Sequence, residues 1–182
     1  MPPQPWKTLS TREIYKNKWI RVREDIAEMP DGNTTIYGVC ELGTGECAGI
    51  LPFIDDDHVI MVRQYRYIQQ ENHRWEIPTG GTKPGEAIDV TAQRELMEEI
   101  GYRANTLIPM ASFYSSKSIC METCHLFIGR DLEPASIPPD DTEFLEIATF
   151  AFDDVLAMVL NGEILEAMTI IAVLHAARMR AR

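Results

Sequence analysis

Three glutamates within residues 95–99 are well suited by type and spacing to bind a divalent cation. Glu95 and Glu99 are four residues apart, so on a helix they lie one turn apart on the same face, with Glu98 beside them. Carboxylates this close repel one another, whereas a hard cation such as Mg²⁺ takes them as oxygen ligands and removes the repulsion. The spacing alone leaves two interpretations open, a solvated acidic helix face or a metal site.

A glycine-rich loop stands directly before these glutamates. Residues 77–85 contain three glycines and two prolines, a composition that excludes regular structure and predicts an ordered loop. The helix that follows is predicted over residues 86–100, because apolar residues recur there every four positions. Gly101 suits the C-terminal end of that helix. We therefore expect the loop and the helix to hold the acidic cluster in one place.

The rest of the chain alternates extended segments with two further helices. Strands are predicted over residues 10–28 with a break near Asn17, and over 34–42, 48–54, 59–67, 106–114, 123–128 and 144–150. The strands at 48–54 and 59–67 are expected to form a hairpin across a solvated, Asp-rich turn. Helices are predicted over residues 152–160 and 165–180, with an Asn-Gly break between them. This order of elements predicts a mixed α/β layered domain.

Composition and charge exclude several classes of protein. The chain has 182 residues, of which 45% are hydrophobic and 25% are charged, as in a globular domain rather than a disordered or fibrous chain. No transmembrane helix and no secretory signal is expected. With 28 acidic and 17 basic residues, the net charge of −11 should repel nucleic acids and leave a phosphorylated substrate in need of a cation. Four cysteines without a disulfide pattern favour a cytoplasmic location.

The spacing of the loop and helix residues resembles the signature of the Nudix hydrolases. That signature is G-x5-E-x7-R-E-U-x-E-E-x-G-U, in which U is a bulky apolar residue. The matching positions are Gly80, Glu86, Arg94, Glu95, Leu96, Glu98, Glu99 and Gly101. Tyr102 occupies the last position, where the family usually has an aliphatic residue. Because so many positions are fixed in one register, the match is far more specific than a lone glycine motif.

The resemblance implies both a fold and an activity. The fold is a mixed β-sheet sandwiched between α-helices, and the activity is hydrolysis of a nucleoside diphosphate linked to another group, with Mg²⁺ or Mn²⁺ as cofactor. The metal ligands it implies are Glu95 and Glu99, with Glu98 as an accessory ligand and a backbone carbonyl of Thr79 or Gly80. The positions it implies as structural are Gly80, Glu86 and Gly101, and Arg94 would form a two-pronged pair with a carboxylate.

The catalytic base of such enzymes is often outside the signature, on a loop after the later strands. An acidic stretch in that region makes Glu143 the first candidate, followed by Asp141 and Glu146. An exposed acidic loop without a catalytic role is the alternative. Glu98 and Arg94 are the candidate catalytic residues within the signature.

Further residues resemble the branch that hydrolyses ADP-ribose and nucleoside diphosphate sugars, and this resemblance covers about residues 6–178. The candidate substrate contacts are Arg63, Arg66, Arg74, Trp75, Glu76, Lys117 and Glu122. Trp75 could stack on the substrate or pack in the core. Lys117 stands where ADP-ribose-selective members tend to have a proline. We therefore expect a broader range of substrates, with ADP-ribose and GDP-mannose among them.

The same branch implies a homodimer in which residues 1–45 form an N-terminal β-arm exchanged between subunits, and residues 46–182 form the hydrolase domain. Strands that stay within one subunit are the alternative.

Two other functions stay open: a catalytically silent Nudix domain that senses a nucleotide sugar, and a Nudix enzyme for other nucleoside diphosphate derivatives. Cys120 and Cys124 are expected to be buried thiols, because a zinc pair would need two further ligands.

Overall fold

The computed structural model describes residues 3–138 and 144–181, in which strands and helices alternate. Within these residues the strands are β1 (Lys7–Lys16), β2 (Ile20–Glu28), β3 (Thr34–Pro52), β4 (His58–Arg63), β5 (Thr79–Gly81), β6 (Tyr102–Tyr114), β7 (Cys120–Pro134) and β8 (Glu146–Ala151). The helices are α1 (Ile88–Glu99), α2 (Phe152–Leu160) and α3 (Ala167–Arg180). The prediction of a mixed α/β fold is confirmed.

The main sheet is mixed, with strands in the order β1-β2-β3-β7-β6. Neighbouring strands are antiparallel except β3 and β7, which are parallel. The first half of β3 pairs with β2, and a short stretch of its second half pairs with β5. Between these stretches, residues 42–45 bulge out opposite Glu122, because the register jumps there from Glu41 to Glu46. Gly43 and Gly45 allow the bulge, since both have a positive φ.

The expected hairpin between residues 48–54 and 59–67 is wrong. Phe53 and Val59 form an isolated bridge, and β4 pairs along its length with β8 instead, in a separate two-stranded sheet. The Asp-rich turn itself forms, because Asp55 Oδ1 accepts from the backbone N–H groups two and three residues on, at 2.8 and 2.7 Å. Ile54 N–H also donates to the His58 carbonyl at 3.0 Å, so β3 and β4 meet only next to this turn.

Helices cover the two faces of the main sheet. Ile50 of β3 packs with Leu96 of α1, and its neighbour Leu51 packs with Ala172 of α3. All four side chains are fully buried, as expected where successive strand residues point to opposite faces. Burying a leucine of this kind stabilises the fold by about 1.5–3 kcal/mol. The sheet therefore lies between α1 and α3, as the resemblance implied.

Several element boundaries differ from their predicted positions. Helix α1 begins at Ile88 rather than 86, because the Glu86 carboxylate accepts from a loop N–H at 3.0 Å and stays outside the helix. Helix α3 begins at Ala167 rather than 165, because Glu166 caps it by accepting from two N–H groups of the first turn. The strand predicted over residues 59–67 ends at Arg63.

The N-terminal arm, strands β1 and β2, extends the sheet beyond the core. β1 is exposed along its whole length and pairs with β2 of the same chain. The exposed apolar side chains of this region are Trp6, Leu9, Ile14, Tyr15, Trp19, Ile36 and Tyr37. The predicted domain boundary between residues 45 and 46 falls at the bulge of β3 and stays a prediction. Across residues 3–138 and 144–181, no helix is long and apolar enough to cross a membrane.

Candidate active site

Gly80 brings the loop and the helix of the signature into close contact. It lies on β5, opposite Ala48 of β3. A Cβ atom placed on Gly80 would overlap the carboxylate of Glu95 on α1. The Glu95 carboxylate occupies the space beside the β5 backbone where a side chain at position 80 would lie. Any such side chain would therefore displace Glu95. Glycine at position 80 is therefore what allows the Glu95 carboxylate to keep this place.

Arg94 lies at the centre of the contact between the loop and α1. Its Nε donates to Glu86 Oε1 and its Nη2 donates to Glu86 Oε2, both at 2.9 Å, which makes a two-pronged pair. Nη1 donates to Glu95 at 2.6 Å and to Glu98 at 2.7 Å, and Nη2 also donates to the Gly81 carbonyl at 2.9 Å. The Arg94 side chain is only 12% exposed. Hydrogen bonding to Arg94 is the main reason that the pKa of Glu86 falls to about 2.

The two glutamates expected to bind metal are almost completely buried. Glu95 and Glu99 are each 4% exposed, although both belong to an acidic face of α1. The backbone N–H of Thr79 donates to Glu99 Oε1 at 3.3 Å, which ties the end of α1 to the start of β5. The interpretation of this face as a freely solvated acidic surface is therefore wrong.

Four carboxylates of the signature lie together between this loop and α1, namely Glu86, Glu95, Glu98 and Glu99. Among the cations that pair with them are Arg94 and Lys83, whose Nζ is 3.6 Å from Glu98 Oε1. Clustered carboxylates fit a hard divalent cation, because Mg²⁺ and Mn²⁺ prefer carboxylate oxygens. The donor set therefore suits the metal that the resemblance implies.

A cleft of about 390 Å³ opens beside Thr79, next to the acidic cluster. Four of the predicted substrate contacts line it, namely Arg66, Arg74, Trp75 and Glu76. The lining residues that sequence reasoning missed are Gln64, Ile68, Gln69, Glu71, Leu165 and Glu166. Polar and apolar groups thus alternate in a space large enough for a small organic phosphate.

Carboxylates of the same cleft hold its two arginines. Arg66 pairs with Glu76, whose Oε1 is 2.6 Å from Nη2 of the guanidinium. Arg74 pairs with Glu71 at 2.7 Å and donates to the Glu163 carbonyl at 2.7 Å. Burial raises the pKa of Glu76, even though its hydrogen bond with Arg66 acts in the opposite direction. These contacts position both guanidinium groups before any substrate binds.

Trp75 packs against the core and also lines the cleft, so the two interpretations of this residue are compatible. Its ring lies edge-on to Phe150, with 4.9 Å between the ring centroids. The guanidinium of Arg63 lies 4.6 Å from the centre of the Trp75 ring. Arg63 also pairs at 2.8 Å with Glu146, its register partner on β8. Arg63 and the candidate base Glu146 therefore lie at one end of the β4–β8 sheet.

Other predicted site residues lie apart from this cleft. Lys117 and Glu122 line a different cavity of about 420 Å³, next to the bulge of β3. Glu143 and Asp141, the first two candidates for the catalytic base, fall outside the residues that the structure describes. Of the seven predicted substrate contacts, four thus line the cleft and two line the cavity beside the bulge.

A hydrogen-bonded link between α3 and the cleft was not predicted. Thr169 Oγ1 accepts from the backbone N–H of Ile77 at 3.0 Å and donates to Glu166 at 2.7 Å. This link fixes the start of α3 against the segment that leads into β5. Ser, Thr, Asp and Asn are the usual N-cap residues, so a glutamate at this position gives no capping signal in the sequence and Glu166 could not have been found from it.

Comparisons with known proteins agree with this geometry. The model for the NUDIX domain matches residues 43–168, and the model for the nucleoside diphosphate sugar hydrolase N-terminal domain matches residues 6–40. A solved structure of an ADP compounds hydrolase superposes with a TM-score of 0.88 at 22% sequence identity, covering 100% of this chain and 97% of that one. That structural likeness shows a shared fold.

Curated relatives match over nearly the whole chain. An ADP-ribose pyrophosphatase of Bacillus subtilis (strain 168) is 31% identical over 169 residues, which cover 92% of this chain and 90% of that protein. A methanol dehydrogenase activator of Bacillus methanolicus is 30% identical over the same shares of both chains. From the signature geometry, the domain match and these relatives together, we conclude that the chain belongs to the NUDIX family.

Proposed function

We propose that this NUDIX protein hydrolyses the pyrophosphate bond of nucleoside diphosphate sugars, with ADP-ribose among its substrates. Water adds to one phosphorus, the bridging oxygen leaves with the other, and the products are a nucleoside monophosphate and a sugar phosphate. The observation that carries the proposal is the buried acidic cluster of α1 beside a cleft that contains two positioned arginines. The similarity to an ADP-ribose pyrophosphatase over about nine-tenths of both chains supports the substrate class.

The acidic cluster would hold the cofactor, Mg²⁺ or Mn²⁺. The groups we assign to it are Glu95, Glu98 and Glu99, with a carbonyl of Thr79 or Gly80. When bound, such an ion neutralises charge on the pyrophosphate oxygens and makes a water molecule more acidic. Arg94 acts as a positioning residue, because one nitrogen of its guanidinium orients both Glu95 and Glu98. Gly80 keeps that side of the cluster free of side-chain atoms.

Three glutamates are candidates for the group that accepts a proton from the attacking water. Glu143 stays the first prediction, and it lies outside the described residues. Glu98 is the candidate within the signature, but Arg94 and Lys83 already engage its two oxygens. Glu146 is on the exposed end of β8, where Arg63 holds it. A base at Glu98 or Glu146 would therefore have to release an ion pair before it accepts a proton.

The cleft suits a diphosphate with an aromatic or sugar group attached. Phosphate oxygens would compete with Glu76 for Arg66 and with Glu71 for Arg74, since guanidinium binds phosphate in two-pronged fashion. Trp75 offers a large flat surface beside them. None of these contacts selects one base or sugar, which supports a substrate range wider than ADP-ribose alone.

We also infer a homodimer that forms through the N-terminal arm. The support is the row of exposed apolar side chains on β1 and the adjoining strands. Lys117 also lines a second, smaller cavity together with Arg23 of β2 and Tyr37 of β3, so exchanged arms would bring a second chain close to Lys117. We expect Ile14→Glu to sediment as a monomer, while the wild type and Lys16→Glu sediment as dimers. If Ile14→Glu still sediments as a dimer, this arm surface is not part of the interface.

The hydrolysis proposal is tested by a substrate panel with purified full-length protein and Mg²⁺. The substrates are ADP-ribose, GDP-mannose, UDP-glucose, a dinucleoside polyphosphate and coenzyme A, with the products identified by chromatography. Glu99→Gln should lose turnover and keep its fold, whereas Asp89→Asn, an exposed carboxylate on the same helix, should keep full activity. Full activity in Glu99→Gln would refute the metal-site assignment. Binding of sugar nucleotides without any turnover by the wild type would indicate a sensor instead.

A further inference from the structure

The four cysteines stand in two register-matched pairs on the parallel strands β3 and β7. Cys40 lies opposite Cys120, and Cys47 lies opposite Cys124. Cys40 and Cys47 are an odd number of residues apart, so in a regular strand they would point to opposite faces. The bulge at residues 42–45 changes that parity and brings both thiols to the face of their β7 partners. All four cysteines are free thiols.

A carboxylate joins the second of these pairs. Glu122 is two residues from Cys124, so it lies on the same face of β7, opposite the bulge. The Cys47 Sγ, the Cys124 Sγ and a Glu122 carboxylate oxygen all lie within 4.8 Å of one another. In a tetrahedral zinc site the ligand atoms are roughly 3.4–3.8 Å apart, given Zn–S of about 2.3 Å and Zn–O of about 2.1 Å. Small side-chain shifts would therefore bring these three atoms onto one ion.

This thiol cluster, defined by Cys47, Glu122 and Cys124, lies on the other face of the sheet from the acidic cluster. Cys47 and Cys124 pack with the core on the α3 side, whereas Ala48, the next residue of β3, packs with the core on the α1 side. Cys124 is 2% exposed, while Glu122 lines the cavity of about 420 Å³. The apolar core covers the two sulfurs, and of the three residues Glu122 reaches the cavity, so an ion would enter the cluster past the Glu122 carboxylate.

We propose that Cys47, Cys124 and Glu122 bind a thiophilic divalent cation such as Zn²⁺, at a site distinct from the Mg²⁺ or Mn²⁺ site of α1. Two sulfur ligands favour Zn²⁺ over hard cations. Burial raises the pKa of the Cys47 and Cys124 thiols, so binding must displace their protons.

The test is a titration of the metal-stripped full chain with Co²⁺, a spectroscopic substitute for Zn²⁺, in excess Mg²⁺. The excess Mg²⁺ keeps Co²⁺ from reporting on the acidic cluster. We expect a sulfur-to-cobalt charge-transfer band that saturates at one equivalent and disappears when Zn²⁺ is added. Absence of that band in the wild type would overturn the proposal. Because no hydrolysis is measured, the result does not depend on the proposed enzymatic function.

Variants locate the site and control for folding. Cys47→Ser and Cys124→Ser should each remove the band. Glu122→Gln should weaken Co²⁺ binding by at least about tenfold, because that much is lost even when a residue that only orients a ligand is changed. The matched controls are Cys40→Ser and Cys120→Ser, which alter the other thiol pair of the same two strands and should keep the band. A band that survives in Cys47→Ser, or that is lost in Cys40→Ser, would overturn the assignment. Glu122→Gln decides the matter if a cysteine variant does not fold, because Glu122 lies at the cavity wall.

Discussion

Replacing Arg94 with lysine is expected to lower both the stability of the protein and its sensitivity to acid. The guanidinium makes five hydrogen bonds, to three carboxylates and one carbonyl, from a single planar group. A lysine ammonium keeps the charge but cannot reproduce the two-pronged pair with Glu86. In the variant the signature carboxylates should therefore be less well oriented, although the positive charge at position 94 is kept.

The magnitude follows from the pKa of Glu86, which falls from 4.5 to about 2 in the folded protein. A carboxyl group with a lowered pKa stabilises the fold above pH 4.5, and that stabilisation disappears as the pH falls towards 2. The full effect corresponds to about 3 kcal/mol at neutral pH. The hydrogen bonds from Lys83 and Thr91 persist, and solvent near the loop screens part of the effect. We therefore expect Arg94→Lys to lose about 2 kcal/mol, or about 4–8 °C in Tm.

The assay is urea unfolding of wild type and variant at several pH values between 7 and 3. The difference in free energy of unfolding should be largest at pH 7 and shrink below pH 4.5, because the wild type loses its advantage as Glu86 takes up a proton. Arg103→Lys is the matched control, since Arg103 pairs with Glu133 in the open and should change little. An Arg94→Lys variant with unchanged stability, or with a difference independent of pH, would refute this reasoning.

Three further predictions concern single atoms or backbone positions. Gly80→Ala should abolish hydrolysis in the ADP-ribose assay by displacing Glu95, whereas Gly81→Ala should stay active, because its Cβ would meet only an ordinary contact at 3.9 Å. Thr169→Val should lower the free energy of unfolding in urea by about 1–3 kcal/mol, because a buried N–H loses its acceptor, while exposed Thr106→Val should have little effect. Gly162→Ala should lower it by about 1–2 kcal/mol, because φ is +74° there.

The signature region was predictable because its determinants are local. The spacing of Glu95 and Glu99 defines one helix face, and Gly101 ends α1 with a φ of +74°. The burial of these glutamates was not contained in that pattern, since it depends on how closely β5 approaches α1 at Gly80. Local spacing therefore identified the acidic cluster, and long-range packing determined its environment.

Strand pairing and the grouping of site residues were harder to predict. The partner of β4 is β8, more than eighty residues further along the chain, and no short-range pattern encodes that choice. Arg66 lies in the segment after β4 and Lys117 in the turn between β6 and β7, and these two segments line different cavities. The bulge of β3 was also missed, and it is what aligns Cys47 with Cys124.

The parallel pairing of β3 with β7 has a consequence for the order of folding. It joins segments about 80 residues apart and encloses β4, β5, α1 and β6, whereas β1, β2 and β3 form local antiparallel contacts. Helix α1 packs on a surface that includes Phe127 of β7, so that surface is incomplete until β7 has joined β3. In refolding experiments, protection of the arm amides from hydrogen exchange should therefore precede protection of α1. Slow closure of the sheet would then set the rate at which newly made chains gain the packed helix α1.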